Sequence, residues 1–274
     1  MLKSRGPGGT EGRDGRPAEP LSPVAYAGGM NAAPRTPQDA LDALAGQDEP
    51  TGLDLTGLDL RAALARRTAP VVLRRCDLGG ADLRGADLDE ALFDDCVAVG
   101  ARLTEAVLTR ARFLGGSFAS ADFEDADLGD AVFERTDLAN SCFTRALLDD
   151  AAFTGCRMTG ADLSALRGLA VTLTLRNCAM QLVDLRDTAL RGIHLTGCDL
   201  TEAHLHRTDL RDAVFEDCRL READLRDARL DGADLRGADL GEIGETVVSR
   251  LRGTVISPEQ AAAVCAALGL RVVG

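Results

Sequence analysis

A five-residue period runs through most of the chain. From Cys76 the sequence reads CDLGG ADLRG ADLDE ALFDD, and the middle position of nearly every group of five holds Leu or Phe as far as Leu163. A second block keeps this spacing from Met180 to Leu240, and all eight Phe of the chain are such central residues. Two positions before each centre lies a small or β-branched residue, most often Ala, and the other three positions are mostly polar. The pattern therefore predicts that two side chains of every five point into a core.

A period of five matches neither the 3.6 residues of an α-helical turn nor the alternation of a long flat strand. A centre and the residue two positions before it nevertheless point to one side of a short extended segment. The chain must then turn a corner, where the Gly that ends many groups, such as Gly80 or Gly100, permits a positive φ. Four segments close a square, so we expect a coil of about 20 residues that rises by about 4.8 Å.

These groups resemble the A(D/N)LXX consensus of the pentapeptide-repeat family, and the resemblance extends over residues 76–242 almost without a break. It implies an all-β solenoid, a right-handed quadrilateral β-helix. Some members of this family protect DNA gyrase, so the resemblance also points to that enzyme as a partner.

Residues 20 positions apart should stack along one side of such a coil. Four phenylalanines satisfy this spacing and are expected to form one aromatic ladder in the interior: Phe93, Phe113, Phe133 and Phe153. A column of cysteines keeps the same spacing, except that the step from Cys156 to Cys178 is 22. The centres also shift by two residues between Leu163 and Met180. Both shifts predict a two-residue insertion within residues 167–175, after which the cysteine column continues on the same side.

Four segments follow from these patterns. Residues 1–35 are rich in Gly, Pro and charge without periodicity, so we expect disorder. Residues 36–50 open with the capping sequence TPQD and should form a short capping helix. The β-helix covers residues 51–242, interrupted near 61–72 and at the insertion, and residues 243–274 form a C-terminal capping and dimerisation segment. The first interruption is expected to protrude as a basic loop because it carries three arginines: Arg61, Arg66 and Arg67.

The C-terminal segment contains a second capping sequence, SPEQ at residues 257–260, followed by a short apolar stretch and a Gly that ends it. Two interpretations remain open: a cap that only covers the last coil, or a cap that also pairs with its copy in a second chain. The resemblance to gyrase-protecting members, in which this element joins two solenoids, implies the homodimer. Its apolar contact residues would be Ala261, Val264, Cys265, Leu268, Leu270 and Val272.

The sequence contains no pattern typical of a catalytic or metal site. No CxxC pair, GxSxG motif or P-loop is present, and six of the eight Cys occupy the inward small position, as buried apolar residues do. His204 and His206 point outward, and His194 lies half a coil away, so the three cannot bind one metal ion. Carboxylates on a convex solenoid face water instead of a cleft. We therefore expect a protein that is not an enzyme and that uses neither cofactor nor metal.

Acidic residues dominate the composition, since 44 Asp and Glu stand against 31 Lys and Arg and give a formal charge of −13. This balance disfavours direct binding of nucleic acid or of an anionic membrane through basic contacts. No stretch of 18 apolar residues could span a membrane, and no apolar segment follows Lys3 and Arg5 as in a signal peptide. A cytoplasmic protein is expected.

The negative charge is concentrated in the first repeat block. Residues 76–165 carry 18 acidic residues against 7 Arg, whereas residues 166–241 carry 14 against 11. A regular array of carboxylates could take the place of DNA in a basic groove. With the resemblance to gyrase-protecting members, this implies a DNA mimic that binds DNA gyrase or topoisomerase IV and confers antibiotic resistance. The alternative is a protein–protein interaction scaffold with another partner. The expected contact residues are Asp87, Asp89, Glu90, Asp122, Glu124, Asp125, Asp127, Asp130, Asp149 and Asp150.

Overall fold

The computed structural model describes residues 36–168, 172–243 and 245–273, in which the five-residue groups wind into a β-solenoid with four sides. We call the side around Leu73 side one, and sides two, three and four follow along the chain around Leu78, Leu83 and Leu88. The strands of side one pair in parallel from each coil to the next. They are β1 (Val72–Arg74), β2 (Leu92–Asp94), β3 (Arg112–Leu114), β4 (Val132–Glu134), β5 (Ala152–Thr154), β6 (Thr174–Arg176), β7 (His194–Thr196) and β8 (Val214–Glu216).

Neighbouring coils are in register with a step of 20 residues, which confirms the predicted quadrilateral β-helix. Phe93 pairs with Phe113 across the sheet, for example. The corners have positive φ, at 61° for Gly80 as expected, but also at 57° for Asp130. The corner conformation is therefore not restricted to glycine.

The predicted aromatic ladder is present in the core. Its four buried rings stack face to face, with successive centroids 4.9, 4.3 and 4.6 Å apart: Phe93, Phe113, Phe133 and Phe153. Phe123 and Phe143 form a second stack, with centroids 4.7 Å apart, whose rings meet those of the ladder edge to face. Both arrangements are favourable for aromatic pairs.

The coil lengthens by two residues between the repeat blocks. Leu147 pairs with Arg167, 20 residues on, whereas Ala152 pairs with Thr174, 22 residues on. The predicted insertion is thus confirmed between Arg167 and Thr174, although its residues 169–171 lie outside the described residues. The column of buried cysteines continues in the same place beyond it.

Two short helices form the N-terminal cap, α1 (Pro37–Gly46) and α2 (Arg61–Leu64). The predicted capping box begins α1, since the side chains of Thr36 and Asp39 each accept a hydrogen bond from the other's backbone amide. The disorder expected for residues 1–35 concerns a segment outside the described residues.

The prediction of a protruding basic loop at residues 61–72 is wrong. α2 packs against α1, and Ala63 and Leu64 are buried in the core. Arg67 donates hydrogen bonds to three backbone carbonyls at the end of α1, of which Leu44 O is the nearest at 2.6 Å. The last carbonyls of a helix lack intrahelical donors and attract a cation, so this arginine fastens the segment to the cap.

At the other end, α3 (Glu245–Arg250) and α4 (Pro258–Ala267) follow the last coil. The predicted capping box is present at the start of α4. Its Gln260 also donates from Nε2 to the carbonyls of Leu235 and Ala238, at 2.8 Å each, and so ties the helix to the last coil. No described helix is long and apolar enough to cross a membrane.

Candidate partner-binding surface

The acidic residues predicted to bind a partner lie on two adjoining sides of the first repeat block. Asp122, Glu124 and Asp125 belong to side three. The others lie on side four and at the corner that follows it: Asp87, Asp89, Glu90, Asp127, Asp130, Asp149 and Asp150. All ten side chains are exposed or half-exposed. They differ in whether an arginine neutralises them.

On side three, one arginine serves two carboxylates. Arg145 Nη2 lies 2.5 Å from Glu124 Oε1 and 2.7 Å from Asp125 Oδ2. The hydrogen bond from Arg145 holds the pKa of Asp125 below its usual range. Asp122 accepts a hydrogen bond from the hydroxyl of Thr104 at 2.9 Å. Side three therefore presents less free negative charge to a partner than the number of its acidic residues suggests.

The first carboxylates of side four are also partly paired. Arg110 Nη2 lies 2.6 Å from Asp89 Oδ2, and its Nε lies 3.1 Å from Glu90 Oε1. Asp87 accepts a hydrogen bond from the amide of Asp89 at 3.2 Å and forms no ion pair with any described residue. Asp87 is thus the one member of this group that keeps an unneutralised charge.

Four carboxylates farther along side four have no cationic partner in the described part of the chain: Asp127, Asp130, Asp149 and Asp150. We call them the acidic strip. Asp127 Oδ1 accepts a hydrogen bond from the amide of Gly129 at 3.1 Å, which holds this carboxylate close to the backbone. Asp130 and Asp150 occupy the same corner of successive coils, with φ of 57° and 59°. Their backbones are therefore about 4.8 Å apart, and like charges lie side by side.

The carboxylates of the second block that are equivalent to Asp127 and Asp130 are paired with arginine. Asp209 lies 2.5 Å from Arg211 and 3.7 Å from Arg229, and Asp212 lies 2.8 Å from Arg191. The hydrogen bond from Arg211 lowers the pKa of Asp209. At these two positions side four thus changes from unpaired to paired carboxylates across the insertion, whereas Asp231, which is equivalent to Asp149, forms no ion pair with a described residue.

Two spacings in the sequence place an arginine beside an acidic residue: two positions later in the same coil, as Arg211 follows Asp209, or 20 positions later in the next coil. An arginine 20 positions after an acidic residue lies beside it in the next coil, as Arg145 does for Asp125. The strip departs from this rule, because the residue 20 positions after Asp130 is Asp150. The sequence therefore contains a signal for pairing that the charge totals of the blocks do not reveal.

The histidines lie on opposite sides of the solenoid, near carboxylates. His194 Nε2 is 3.4 Å from Glu216 on side one, and His206 Nδ1 is 3.5 Å from Asp224 on side three. No group of three or more metal-ligating side chains occurs within the described ranges.

The acidic strip is an open surface, and an exposed array of carboxylates can attract a cationic partner.

The residues predicted to form a dimer contact leave an apolar surface uncovered at the C-terminal end. Ala261, Val264 and Cys265 in α4 are half-buried. Leu268 and Leu270 are 53% and 59% exposed, and Val272 is 64% exposed. Large apolar side chains that remain exposed within one short segment are typical of a surface that a partner covers.

Two family sequence models match the chain. The family described as pentapeptide repeat region matches residues 70–141. The family described as pentapeptide repeats (8 copies) matches residues 126–164, 178–217 and 207–241. A search of curated proteins finds no match.

Solved structures of pentapeptide-repeat proteins are similar to this chain at low sequence identity. QnrB1, a plasmid-mediated fluoroquinolone resistance protein, is 20% identical over 81% of this chain and 100% of its own, with a TM-score of 0.49. HetL from the cyanobacterium Nostoc sp. strain PCC 7120, a protein involved in regulating heterocyst differentiation, is 24% identical over 74% of this chain and 96% of its own, with a TM-score of 0.37. The family matches together cover more than half of the chain and coincide with the solenoid, and the chain therefore belongs to the pentapeptide-repeat family.

Proposed function

We propose that the protein is a non-enzymatic binding protein whose acidic strip occupies a basic groove that otherwise holds DNA. The partner is a type II topoisomerase, either DNA gyrase or topoisomerase IV, and the interaction protects it from inhibitors. The observation that carries the proposal is the presence, on one side of the solenoid, of four carboxylates that have no cationic partner among the described residues. The choice of a topoisomerase among DNA-binding proteins rests on the sequence resemblance to gyrase-protecting members of the family.

The spacing of charge on the strip supports mimicry of DNA. Two successive coils contribute two carboxylates each, and a rise of about 4.8 Å per coil gives one charge per roughly 2.4 Å. Duplex DNA carries one charge per about 1.7 Å of its axis. A groove lined with Lys and Arg would therefore meet a comparable, slightly lower charge density.

The apolar surface of α4 and the C-terminal tail would allow two copies of the chain to dimerise and to bind a partner through two acidic strips. A homodimer through Leu268, Leu270 and Val272 would present two strips to one partner assembly. Because the second contact of a linked pair is intramolecular, the overall affinity would exceed that of one strip. The dimer is therefore part of the proposed function.

Binding of the full-length protein to purified gyrase, measured by fluorescence anisotropy, tests this proposal. We expect the affinity to fall with added salt, because the Debye length shrinks from about 10 Å at 0.1 M to about 3 Å at 1 M. Duplex DNA should compete for gyrase, while the protein alone should not bind DNA. Supercoiling that stays unaffected by excess protein, with and without a quinolone, would contradict the proposal and favour a scaffold with another partner.

A further inference from the structure

A cavity of about 310 Å³ lies at the N-terminal beginning of side four. The first coil is longer than the others, since Asp59 pairs with Asp82, 23 residues on. α2 and the loop after it take the place that the first segment of side four would occupy. The cavity is the space left between this loop and the first regular segment, and Asp87 and Asp89 line it.

The backbone beside the cavity lacks the partner that a regular coil would supply. Elsewhere the first coil donates hydrogen bonds to the second, as from Leu60 N to Asp82 O at 3.0 Å. No described residue makes the corresponding hydrogen bonds to the carbonyl oxygens of Asp87 and Asp89. These two carbonyl oxygens can therefore accept hydrogen bonds from a ligand, as can the carboxylates of the same residues.

The carboxylates at the cavity have unused capacity to accept hydrogen bonds. Within the described part of the chain, Asp87 accepts a hydrogen bond only from the amide of Asp89. Asp89 binds Arg110 through Oδ2, while its Oδ1 is buried and has no hydrogen-bond partner among the same residues. Arg67 also lines the cavity; its Nη1 donates to the carbonyls of Leu44 and Gln47 at the end of α1, while its Nε is buried without a hydrogen-bond partner among the described residues. The carboxylates and carbonyls of Asp87 and Asp89 thus outnumber this one free donor, so a matching ligand must bring mainly donors, and the unpaired carboxylate of Asp87 favours a cationic ligand.

We propose that this cavity binds the cationic end of an arginine or lysine side chain of a partner protein. Guanidinium and ammonium groups carry only donors, which suits a site of carboxylates and carbonyl oxygens. Leu64, Ala69, Pro70 and Val71 also line the cavity and suit the aliphatic stem of such a side chain. The volume is at the lower end of the range for ligand pockets and fits one side chain.

The position of the cavity fits the same partner as the acidic strip. Along side four Asp87 pairs with Val107 and Val107 with Asp127, so one coil separates the cavity from the strip. A basic surface that covers the strip can therefore also reach the cavity. The identity of the partner rests on the proposed function, whereas the binding of a cationic side chain can be measured without it.

Amide chemical shifts of the ¹⁵N-labelled full-length protein test the inference. The probe is Nα-acetyl-arginine methylamide, and the matched control is the citrulline analogue, which has the same shape without the charge. We expect saturable shifts at Ala69, Val71 and Asp87 with a Kd on the order of millimolar for arginine, as for one isolated side chain, and shifts at least tenfold smaller for citrulline.

Two variants locate the site. Asp87→Asn should weaken probe binding at least fivefold, and Ala69→Phe should abolish it by filling the cavity. Asp149→Asn combined with Asp150→Asn on the strip should leave it unchanged. Equal shifts for arginine and citrulline, no saturable shift, or full binding by Ala69→Phe would overturn the inference. None of these outcomes depends on gyrase, so they are separate from a failure of the proposed function.

Discussion

Asp127 and Asp209 occupy equivalent positions on side four, but among the described residues only Asp209 has arginine partners, with Arg211 at 2.5 Å and Arg229 at 3.7 Å. The same backbone geometry therefore presents a free carboxylate in one block and a neutralised one in the other. The Asp209–Arg211 pair is partly buried, since the two side chains are 21% and 27% exposed, so its charges are also less accessible to a partner. The two blocks therefore differ in how much free negative charge side four presents to a partner.

The aromatic ladder predicts a large effect of truncation at its centre. Phe133 is fully buried, with its ring centroid 4.3 Å from that of Phe113 and 4.6 Å from that of Phe153. Phe133→Ala should lower the free energy of unfolding by about 3–5 kcal/mol, because it removes both stacking contacts and leaves a cavity. Denaturant unfolding followed by circular dichroism measures this loss.

Asp127→Asn is the control for the ladder, since this side chain lies on the outside of the coil. It should change the free energy of unfolding by no more than about 0.5 kcal/mol. Equal destabilisation by the two substitutions would show that the assignment of inward and outward positions is wrong.

A buried carboxylate on side three should make stability depend on pH. Asp82 is 3% exposed, and the hydrogen bond from Arg84 at 2.7 Å lowers its pKa strongly, with the charge of Arg102 adding to this effect. A depressed folded-state pKa stabilises the protein above the unfolded value of about 3.9, and this contribution is lost as pH falls towards the folded value. Asp82→Asn should therefore lower stability at pH 7 and flatten its decline below about pH 4.

Unfolding free energies measured from pH 7 to pH 2 check this expectation. Asp77→Asn is the matched control, because Asp77 occupies the corresponding position on side two, is exposed and forms no ion pair with a described residue. Its pH profile should follow that of the wild type. If the Asp82→Asn profile also ran parallel to the wild type, the ion pairs of Asp82 would not contribute to stability.

The C-terminal apolar surface predicts a dimer that charged substitutions disrupt. Leu270→Asp combined with Val272→Asp should give a monomer that stays folded, because both side chains are exposed in the single chain. Deletion of residues 251–274 should also give a monomer, but one prone to aggregation because the last coil loses its cap. Light scattering at micromolar concentration measures the mass of each.

Val97→Asp provides the control for this experiment, since Val97 is 44% exposed but lies on side two, in the first repeat block. It should leave the dimer intact. A wild-type protein that is monomeric at micromolar concentration would contradict the proposed dimer.

The core was predictable from the sequence because every coil repeats the same five-residue pattern of inward and outward side chains. The five-residue period placed the Phe ladder and the two-residue insertion without knowledge of long-range contacts. The N-terminal interruption was not predictable in this way. α2 has only four residues, and its Leu64 is buried because α1 packs against it, while Arg67 finds carbonyl acceptors at the end of α1.

The candidate surface was predictable only in part. The period correctly placed all ten carboxylates on the outside, since outward positions follow from the period itself. Which of them remain free depends on contacts between coils, such as that of Arg145 with Asp125. The cavity beside Asp87 was not foreseen, because it results from the way α2 replaces a segment of the first coil.

Two matched charge reversals distinguish binding of gyrase through the unpaired strip from binding through the total negative charge. One variant combines Asp127→Lys with Asp130→Lys, and the other combines Asp209→Lys with Asp212→Lys, which change the same positions within their coils. Both change the net charge equally, and circular dichroism must show both to be folded. We expect the first variant to lose gyrase binding by at least a hundredfold in Kd, whereas the second should lose less than tenfold. Equal losses in the two variants, or undiminished binding by the first, would show that the unpaired strip is not the gyrase-binding surface.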